Sequence, residues 1–408
     1  MITQICETNR CTGCRACEAV CPKRCISMHP NEYGVVLPKI DYDLCIECKK
    51  CINTCPNNKI CNTNKPIKCF AGWSNDDETR RTSASGGIAS EIYRYCNENR
   101  IASTGCVIEN ISDCFLKIIK PGDSYGSSRN SKYVYSSTGE TYKEAATLLK
   151  NGEKVIFIGL PCQISGLKNY LGKDYDNLIT VDIVCHGVAP RDYLRQHVDS
   201  RIGKINGLEK ISVSFRNPEL DGGTSKYWFT IATVKNNILY AKRVYDNDEY
   251  QHGYHKALIY RENCYNCRYA KKERVGDLTI SDFSGLGKLA PWKQDKQNVS
   301  CILVNTKKGE QLLDALGEQL HLEERPLDEA LKFEHQLSHP SVPHPRRNDF
   351  LNRYAETNDF DGSVRFAVGR TLLKNHIKVL LHVENLRTLL SRMTPSALKR
   401  TMRSILKK

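Results

Sequence analysis

From Cys69 onward, short apolar runs alternate with polar, helix-length stretches, and this pattern predicts strands and helices in alternation. Val155-Ile-Phe-Ile158, Leu178 to Val184, Ile211 to Phe215, Trp228 to Val234, Leu278 to Ile280 and Cys301 to Val304 have the length and composition of strands. Apolar positions recur at helical spacing in Ile88, Ile92 and Tyr95, just after Ser83-Ala-Ser-Gly-Gly87, and in Ala145, Leu148 and Leu149 within Thr141 to Lys150. Helical connections are expected near 163–171 and 190–202, and the polar alternation between 211 and 245 reads as hairpins. The result is an α/β domain on a mixed sheet. Beyond a proline- and histidine-rich linker, His335 to Pro345, the residues Leu372, Val379, Val383, Leu386, Leu390 and Met393 predict a C-terminal helix that Pro395 stops. It is expected to pack on its own domain.

Ahead of Cys69 the periodic residue is cysteine. Cys11, Cys14, Cys17 and Cys21-Pro22 repeat in Cys45, Cys48, Cys51 and Cys55-Pro56 with one spacing. Three thiolates spaced by two residues wrap three corners of a cubane cluster, and the thiolate before proline reaches across to the other cluster. Cys11, Cys14, Cys17 and Cys55 are thus expected to hold one 4Fe-4S cluster, and Cys45, Cys48, Cys51 and Cys21 a second. Paired zinc knuckles are the alternative, but they need only four ligands per metal and often include histidine. No histidine lies in either run.

Length then sets the organisation. The predicted class is α+β: a bacterial-type two-cluster ferredoxin domain over 1–65, the α/β domain over 66–334, and a linker with a basic helical tail over 335–408. Twenty cysteines in so long a chain, behind the opening Met1-Ile-Thr-Gln-Ile5, point to a reducing cytoplasm rather than a secreted disulfide scaffold. No apolar stretch approaches the roughly 18 residues needed to span a bilayer. The net charge is +14, and Thr371 to Lys408 holds nine Lys or Arg against Glu384 alone. The body is only mildly basic, which argues against a nucleic-acid partner. The tail is expected to present a solvated basic face, with a peripheral membrane surface or an acidic partner as the alternative.

A third constellation follows from the strand order. Gly159-Leu-Pro-Cys162-Gln and Cys185-His-Gly each lie just past an apolar run, with a helix-length connection between them. Right-handed crossover makes the two strands parallel, so Cys162 and Cys185 emerge at one carboxyl edge, where open sheets bind ligands. Cys264-Tyr-Asn-Cys267 adds a chelating pair. A third 4Fe-4S cluster is the first reading and structural zinc the second. His186 is placed outside the ligand set. The other eight cysteines, Cys6, Cys25, Cys61, Cys69, Cys96, Cys106, Cys114 and Cys301, are expected to be small core residues or exposed thiols.

Cubane clusters pass single electrons, whereas organic reductions consume two, so a converter such as flavin is implied. No G-x-G-x-x-G follows a strand, which leaves a Rossmann nicotinamide site without a signal. Ser83, Ser85, Gly86 and Gly87 instead suit a pyrophosphate at a helix N-terminus, or else form an ordinary serine cap. Lys132 is a second candidate, able to stabilise an anionic reduced ring.

Taken together, Ser83-Ala-Ser-Gly-Gly87, Ser131-Lys-Tyr-Val134, Gly159-Leu-Pro-Cys162-Gln, Val181-Asp-Ile-Val-Cys185-His-Gly187, Cys264-Tyr-Asn-Cys267 and Ser281-Asp-Phe283 resemble the family of coenzyme F-420 hydrogenase and dehydrogenase beta subunits. The resemblance runs from about Cys69 to about Thr306. It implies FAD, a cluster on Cys162, Cys185, Cys264 and Cys267 beside the flavin, FAD contacts from Ser83 to Gly87 and Lys132, and a flavin or cluster-loop role for Asp282. It further implies electron flow, in either direction, between a ferredoxin-like partner and a small-molecule redox substrate such as a deazaflavin. No residue is required as a nucleophile. Two other readings compete: an electron-transfer subunit with no substrate of its own, and a zinc-stabilised binding protein.

Overall fold

The computed structural model describes residues 3–203, 211–217, 220, 228–244 and 246–381. The expected basic helix from Val383 onward lies outside them.

The N-terminal module repeats itself in backbone as it does in sequence. Helix α1 (Ala16–Val20) is followed by strands β1 (Ile26–Pro30) and β2 (Val36–Ile40), an antiparallel pair, and then by helix α2 (Lys50–Thr54). Each helix is entered through a left-handed residue, Arg15 (φ 60°) and Lys49 (φ 57°), and left through an extended cysteine, Cys21 and Cys55. The reversal bends each loop around a centre, and the following proline stops the helix from continuing.

The body opens with β3 (Lys68–Ser74), α3 (Asp77–Thr82), α4 (Ile88–Glu98), β4 (Ala102–Glu109) and β5 (Asp113–Ile119). Next come α5 (Thr141–Lys150), β6 (Val155–Gly159), α6 (Pro161–Leu171), β7 (Leu178–Ile183) and α7 (Arg191–Ile202). A separate antiparallel sheet holds β8 (Ile211–Ser214), β9 (Trp228–Thr233) and β10 (Ile238–Arg243). Then follow α8 (Glu249–His255), α9 (Glu262–Tyr265), β11 (Leu278–Asp282), β12 (Ser300–Val304), α10 (Lys307–Leu316), β13 (Leu320–Glu324), α11 (Leu327–Leu331), α12 (Arg347–Thr357) and α13 (Phe360–Leu380). The main sheet runs β13-β3-β12-β11-β7-β6-β4-β5. Its four central strands, β11, β7, β6 and β4, are parallel, and antiparallel strands flank them on both sides. The mixed sheet read from the sequence is therefore present.

Period two along β6 shows how the sheet is covered. Val155 and Phe157 face α5 and α6, joining Tyr142, Ala145, Ile164 and Leu167. Ile156 and Ile158 face α4 and α10, joining Ile88, Ile92, Leu312 and Leu316. A strand buried on both faces reads as one continuous apolar run. Ala16 and Ala19 of α1 belong to the first of these clusters, so the ferredoxin module is seated on α5 and α6.

Residues 347–372 carry Phe350, Tyr354, Phe360, Val364 and Leu372 into the same cluster as Tyr193, Phe229 and Tyr250. The first part of the expected C-terminal extension is thus core of the body. A fully buried ion network fastens it there: His197 of α7 bonds Asp361 through Nδ1 (2.7 Å) and Asp248 through Nε2 (3.0 Å). Asp248 also caps α8 by accepting from the Gln251 amide (2.6 Å).

Candidate iron-sulfur relay and cofactor cleft

Within the N-terminal module the thiols of the two runs come together crosswise, in the grouping that the spacing predicts. Cys14 and Cys17 each feel the charge of Cys11 and Cys55, the latter from the second run. The other set, Cys45, Cys48 and Cys51 with Cys21, lines a small cavity of about 20 Å³. Two cysteines outside the spacing stand beside these groups. Cys6 hydrogen-bonds Cys11 and Cys55, holding Cys11 down at about 6 and Cys55 at about 7. Cys25 lines the second cavity, its Sγ 3.4 Å from that of Cys21. Cys6 precedes the first run and Cys25 directly precedes β1, both outside the repeated spacing, so nothing in the sequence set them apart from core residues.

The third group assembles from three elements. Cys162 lies in the first turn of α6, which Pro161 opens and Gln163 closes by accepting the Leu160 amide through Oε1 (2.9 Å). Cys185 follows β7, the parallel neighbour of β6 in register Ile158↔Val181 and Gly159↔Asp182. Cys264 is in α9, with Cys267 just beyond it. Asp182, inside the motif that ends in Cys185, anchors this last loop: it accepts from Arg274 Nη2 (2.7 Å) and from the Gly276 amide (2.8 Å). All four thiols and Cys14 line one cavity of about 50 Å³. Burial, reinforced by the neighbouring thiols, raises Cys162 and Cys185, and brings Cys264 up to about 11. Four clustered thiols that repel one another as anions are a donor set that a cationic core relieves.

An orphaned donor supports the same fit. Arg261 is fully buried and donates from Nη2 to the carbonyls of Cys11 and Val36 (both 3.1 Å), yet its Nη1 has no hydrogen-bond partner among the described residues. Its charge reaches both Cys11 and Cys264, so it stands between the first and third groups. A free guanidinium N–H there suits a thiolate or sulfide acceptor. Sequence reading passed over Arg261, although it lies three residues ahead of Cys264.

The carboxyl ends of β6, β7 and β11 open onto a cleft of about 1,200 Å³, larger than the roughly 300–1,000 Å³ of an ordinary small-ligand pocket. Ser83, Ser85, Gly87, Lys132 and Asp282 all line it. The cleft shares the wall Cys185 to Val188 with the third cysteine cavity. Gly87, at φ 91°, is the N-cap of α4 and has no side chain with which to cap it. Ser83 and Ser85 stand beside this end of the helix in the cleft wall, where a ligand could meet the first-turn amides. Arg129 holds the loop by donating to Thr82 Oγ1 (2.7 Å) and Ser90 Oγ (3.0 Å). Lys132 is half-buried, donates to the Arg129 and Asn130 carbonyls, and has its pKa lowered by burial. Asp282 is paired with Arg216 (2.9 Å).

Gly86 differs from expectation. It does not line the cleft, because its amide is already given to Ser300 Oγ (2.9 Å) and its Cα is pressed against strand backbone. A Cβ there would stand 2.3 Å from the Gly72 carbonyl and 2.9 Å from the Ser300 amide. Gly86→Ala is accordingly expected to lower stability by about 2 kcal/mol through overpacking. Gly126→Ala, which meets only Ser124 Oγ at 3.8 Å, should stay within about 0.5 kcal/mol. Thermal melts of both variants check this, and equal melts would refute it.

The paired cysteine runs and the four-thiol cavity define the class of iron-sulfur proteins. A family profile for the C-terminal part of the coenzyme F420 hydrogenase/dehydrogenase beta subunit matches residues 152–330, and one for the 4Fe-4S dicluster domain matches residues 10–59. Residues 152–330 are therefore similar to that family of hydrogenase and dehydrogenase subunits, behind a segment similar to dicluster ferredoxin domains. A subunit of the F(420)H(2) dehydrogenase of Methanosarcina mazei is 19% identical over 342 residues, covering 80% of this chain and 87% of the relative. A chain in a structure of the F420-reducing NiFe hydrogenase complex from Methanosarcina barkeri is 18% identical, with a TM-score of 0.40 over 74% of this chain and 90% of that one. No helix among the described residues is long and apolar enough to cross a membrane.

Proposed function

We propose that this chain is an iron-sulfur flavoprotein oxidoreductase, with two clusters in the ferredoxin module, a third on Cys162, Cys185, Cys264 and Cys267, and FAD in the cleft. The observation that carries the reading is the shared wall from Cys185 to Val188, which puts a four-thiol site and a dinucleotide-sized cleft back to back. Cys14, in the wall of the same four-thiol cavity, joins that site to the N-terminal module. Bound there, the clusters would supply one-electron relay, and FAD the conversion between one- and two-electron chemistry.

The chain's own groups have distinct tasks. The first-turn amides of α4 and the hydroxyls of Ser83 and Ser85 would receive a pyrophosphate, and Lys132 would offset negative charge on the ring or its phosphates. Arg216, Lys256 and Lys296 leave the cleft with an excess of cations over Asp282 and Glu334, which suits an anionic two-electron substrate; a deazaflavin is one such molecule. A second reading, a subunit serving a larger redox complex with no substrate of its own, is favoured by the relative's description as part of a dehydrogenase of several subunits.

Anaerobic purification followed by iron, acid-labile sulfide and flavin analysis tests the reading. Iron with bound FAD supports it; zinc, or iron with no flavin uptake on titration, overturns it. Lys132→Ala is expected to weaken FAD binding about tenfold, the equivalent of one charge-assisted contact, as read by quenching of flavin fluorescence. Substrate-dependent reoxidation of the reduced protein separates the enzyme from a purely electron-carrying component.

A further inference from the structure

Two thiols beside the cleft have no part in the relay. Cys106 on β4 and Cys114 on β5 project from the same face of an antiparallel pair, and their Sγ atoms are 3.4 Å apart. Cys106 lines the cleft, whereas Cys114 is fully buried behind it. We propose that Cys106 and Cys114 form a dithiol/disulfide couple that exchanges an electron pair with a two-electron acceptor of the flavin class bound in the cleft.

The surroundings fit such a couple. A nucleophilic cysteine needs thiolate character, access and a resolving partner. The Cys114 hydrogen bond, with help from the charges of Lys132 and Arg191 against the effect of burial, holds Cys106 down at about 7. Cys106 is thus the accessible, ionisable member and Cys114 the buried thiol. A contrasting pair, Cys69 and Cys301, stands 3.9 Å apart in an apolar cluster and does not line the cleft. Closing the Cys106–Cys114 bond requires the sulfurs to approach from 3.4 Å to about 2.05 Å.

The chemistry balances. Cys106 thiolate and Cys114 thiol form one S–S bond, releasing one proton and two electrons, which the flavin-class acceptor takes up with protons from solvent. In reverse, an electron pair and a proton restore thiolate and thiol. Naming that acceptor rests on the FAD reading; the existence of the couple does not.

The test uses the full-length protein with its clusters intact. No Lys or Arg lies between Arg100 and Lys117, so both cysteines fall in the single tryptic peptide Ile101 to Lys117. The protein is equilibrated anaerobically in mixtures of glutathione and its disulfide, trapped with N-ethylmaleimide and digested. The proposal expects a peptide two hydrogens lighter and unlabelled, converted reversibly to the doubly labelled form with the dependence of a two-electron couple. In reduced protein, Cys106 should be labelled about tenfold faster than Cys114 at neutral pH. Cys106→Ser and Cys114→Ser should each abolish the light peptide, and Cys69→Ser should not. A peptide that stays doubly labelled where a free dithiol is oxidised, or that ends as a mixed disulfide with glutathione, overturns the couple. FAD titration is scored separately by fluorescence: failure to bind strikes the cofactor reading, and the peptide masses alone then decide the dithiol. Binding that does not slow Cys106 labelling overturns the couple's place in the cleft.

Discussion

Cys185→Ala is expected to lower the iron content from about 12 to about 8 atoms per chain while the N-terminal clusters stay reducible. Cys185 is the one proposed ligand in the wall common to the four-thiol cavity and the cleft, so its loss removes the ligand that stands between the two sites. The crossed cysteines of the ferredoxin module hold their positions through other elements, α1 and α2, and should keep their iron. Chemical reduction should then bleach the N-terminal clusters at the ordinary rate, whereas reduction of bound flavin by a ferredoxin-type donor should fall by at least about a hundredfold for want of the intermediate relay. Iron and sulfide analysis and rapid-mixing absorbance are the measurements. An unchanged iron content would remove Cys185 from the ligand set. Loss of all iron with an unchanged circular dichroism spectrum would mean that the three groups do not load independently.

Replacement of His197 by alanine should have the largest effect on stability, about 3–5 kcal/mol, because it leaves Asp248 and Asp361 buried without their shared cation. The network joins α7, α8 and α13, so the damage should centre on the packing of residues 347–372 and the small sheet. It also has a pH signature. Burial opposes a charge on His197, but the two carboxylates outweigh it and raise the ring to about 9 from an ordinary 6.5. A raised histidine stabilises fully below about 6.5, and that contribution, on the order of 3 kcal/mol, is lost as pH climbs through 9. Asp248 and Asp361 are lowered, burial again opposing and His197 prevailing, so their share is lost only as pH falls below the usual carboxylate range. Wild-type melting temperature should therefore decline between pH 6.5 and 9 more steeply than that of His197→Ala. Parallel profiles would show that the ring is not charged in the folded chain. Because Arg201 and Arg365 already pair with Glu249, the same cluster holds its charge internally and needs no cation.

Local signals carried the chain's own reading a long way, for identifiable reasons. Cluster ligation depends on thiol spacing over a few residues, so Cys11 to Cys21 and Cys45 to Cys55 declare their use without any knowledge of the fold. Strands buried on both faces, such as Val155–Gly159 and Leu178–Ile183, must be apolar throughout, and β-α-β handedness then sends Cys162 and Cys185 to one edge. Serine, glycine and lysine in the cleft were visible as candidates because loops at that edge bind ligands.

Relations between distant segments were another matter. Gly86 looks like a phosphate-loop glycine, yet its amide serves β12, since only the approach of two strands reveals who claims that donor. Arg261, lodged between Cys11 and Cys264, joins positions 250 residues apart, and no local periodicity encodes such a pairing. His197 is one more helix residue until α8 and α13 each bring a carboxylate to one of its ring nitrogens. Cys106 and Cys114 are ordinary strand cysteines until the register of β4 on β5 faces their sulfurs toward each other beside the cleft. Short-range covalent geometry thus set the metal chemistry and the element pattern, while long-range packing determined which buried charges, donors and thiols meet, because burial and partnership exist only once the chain has folded.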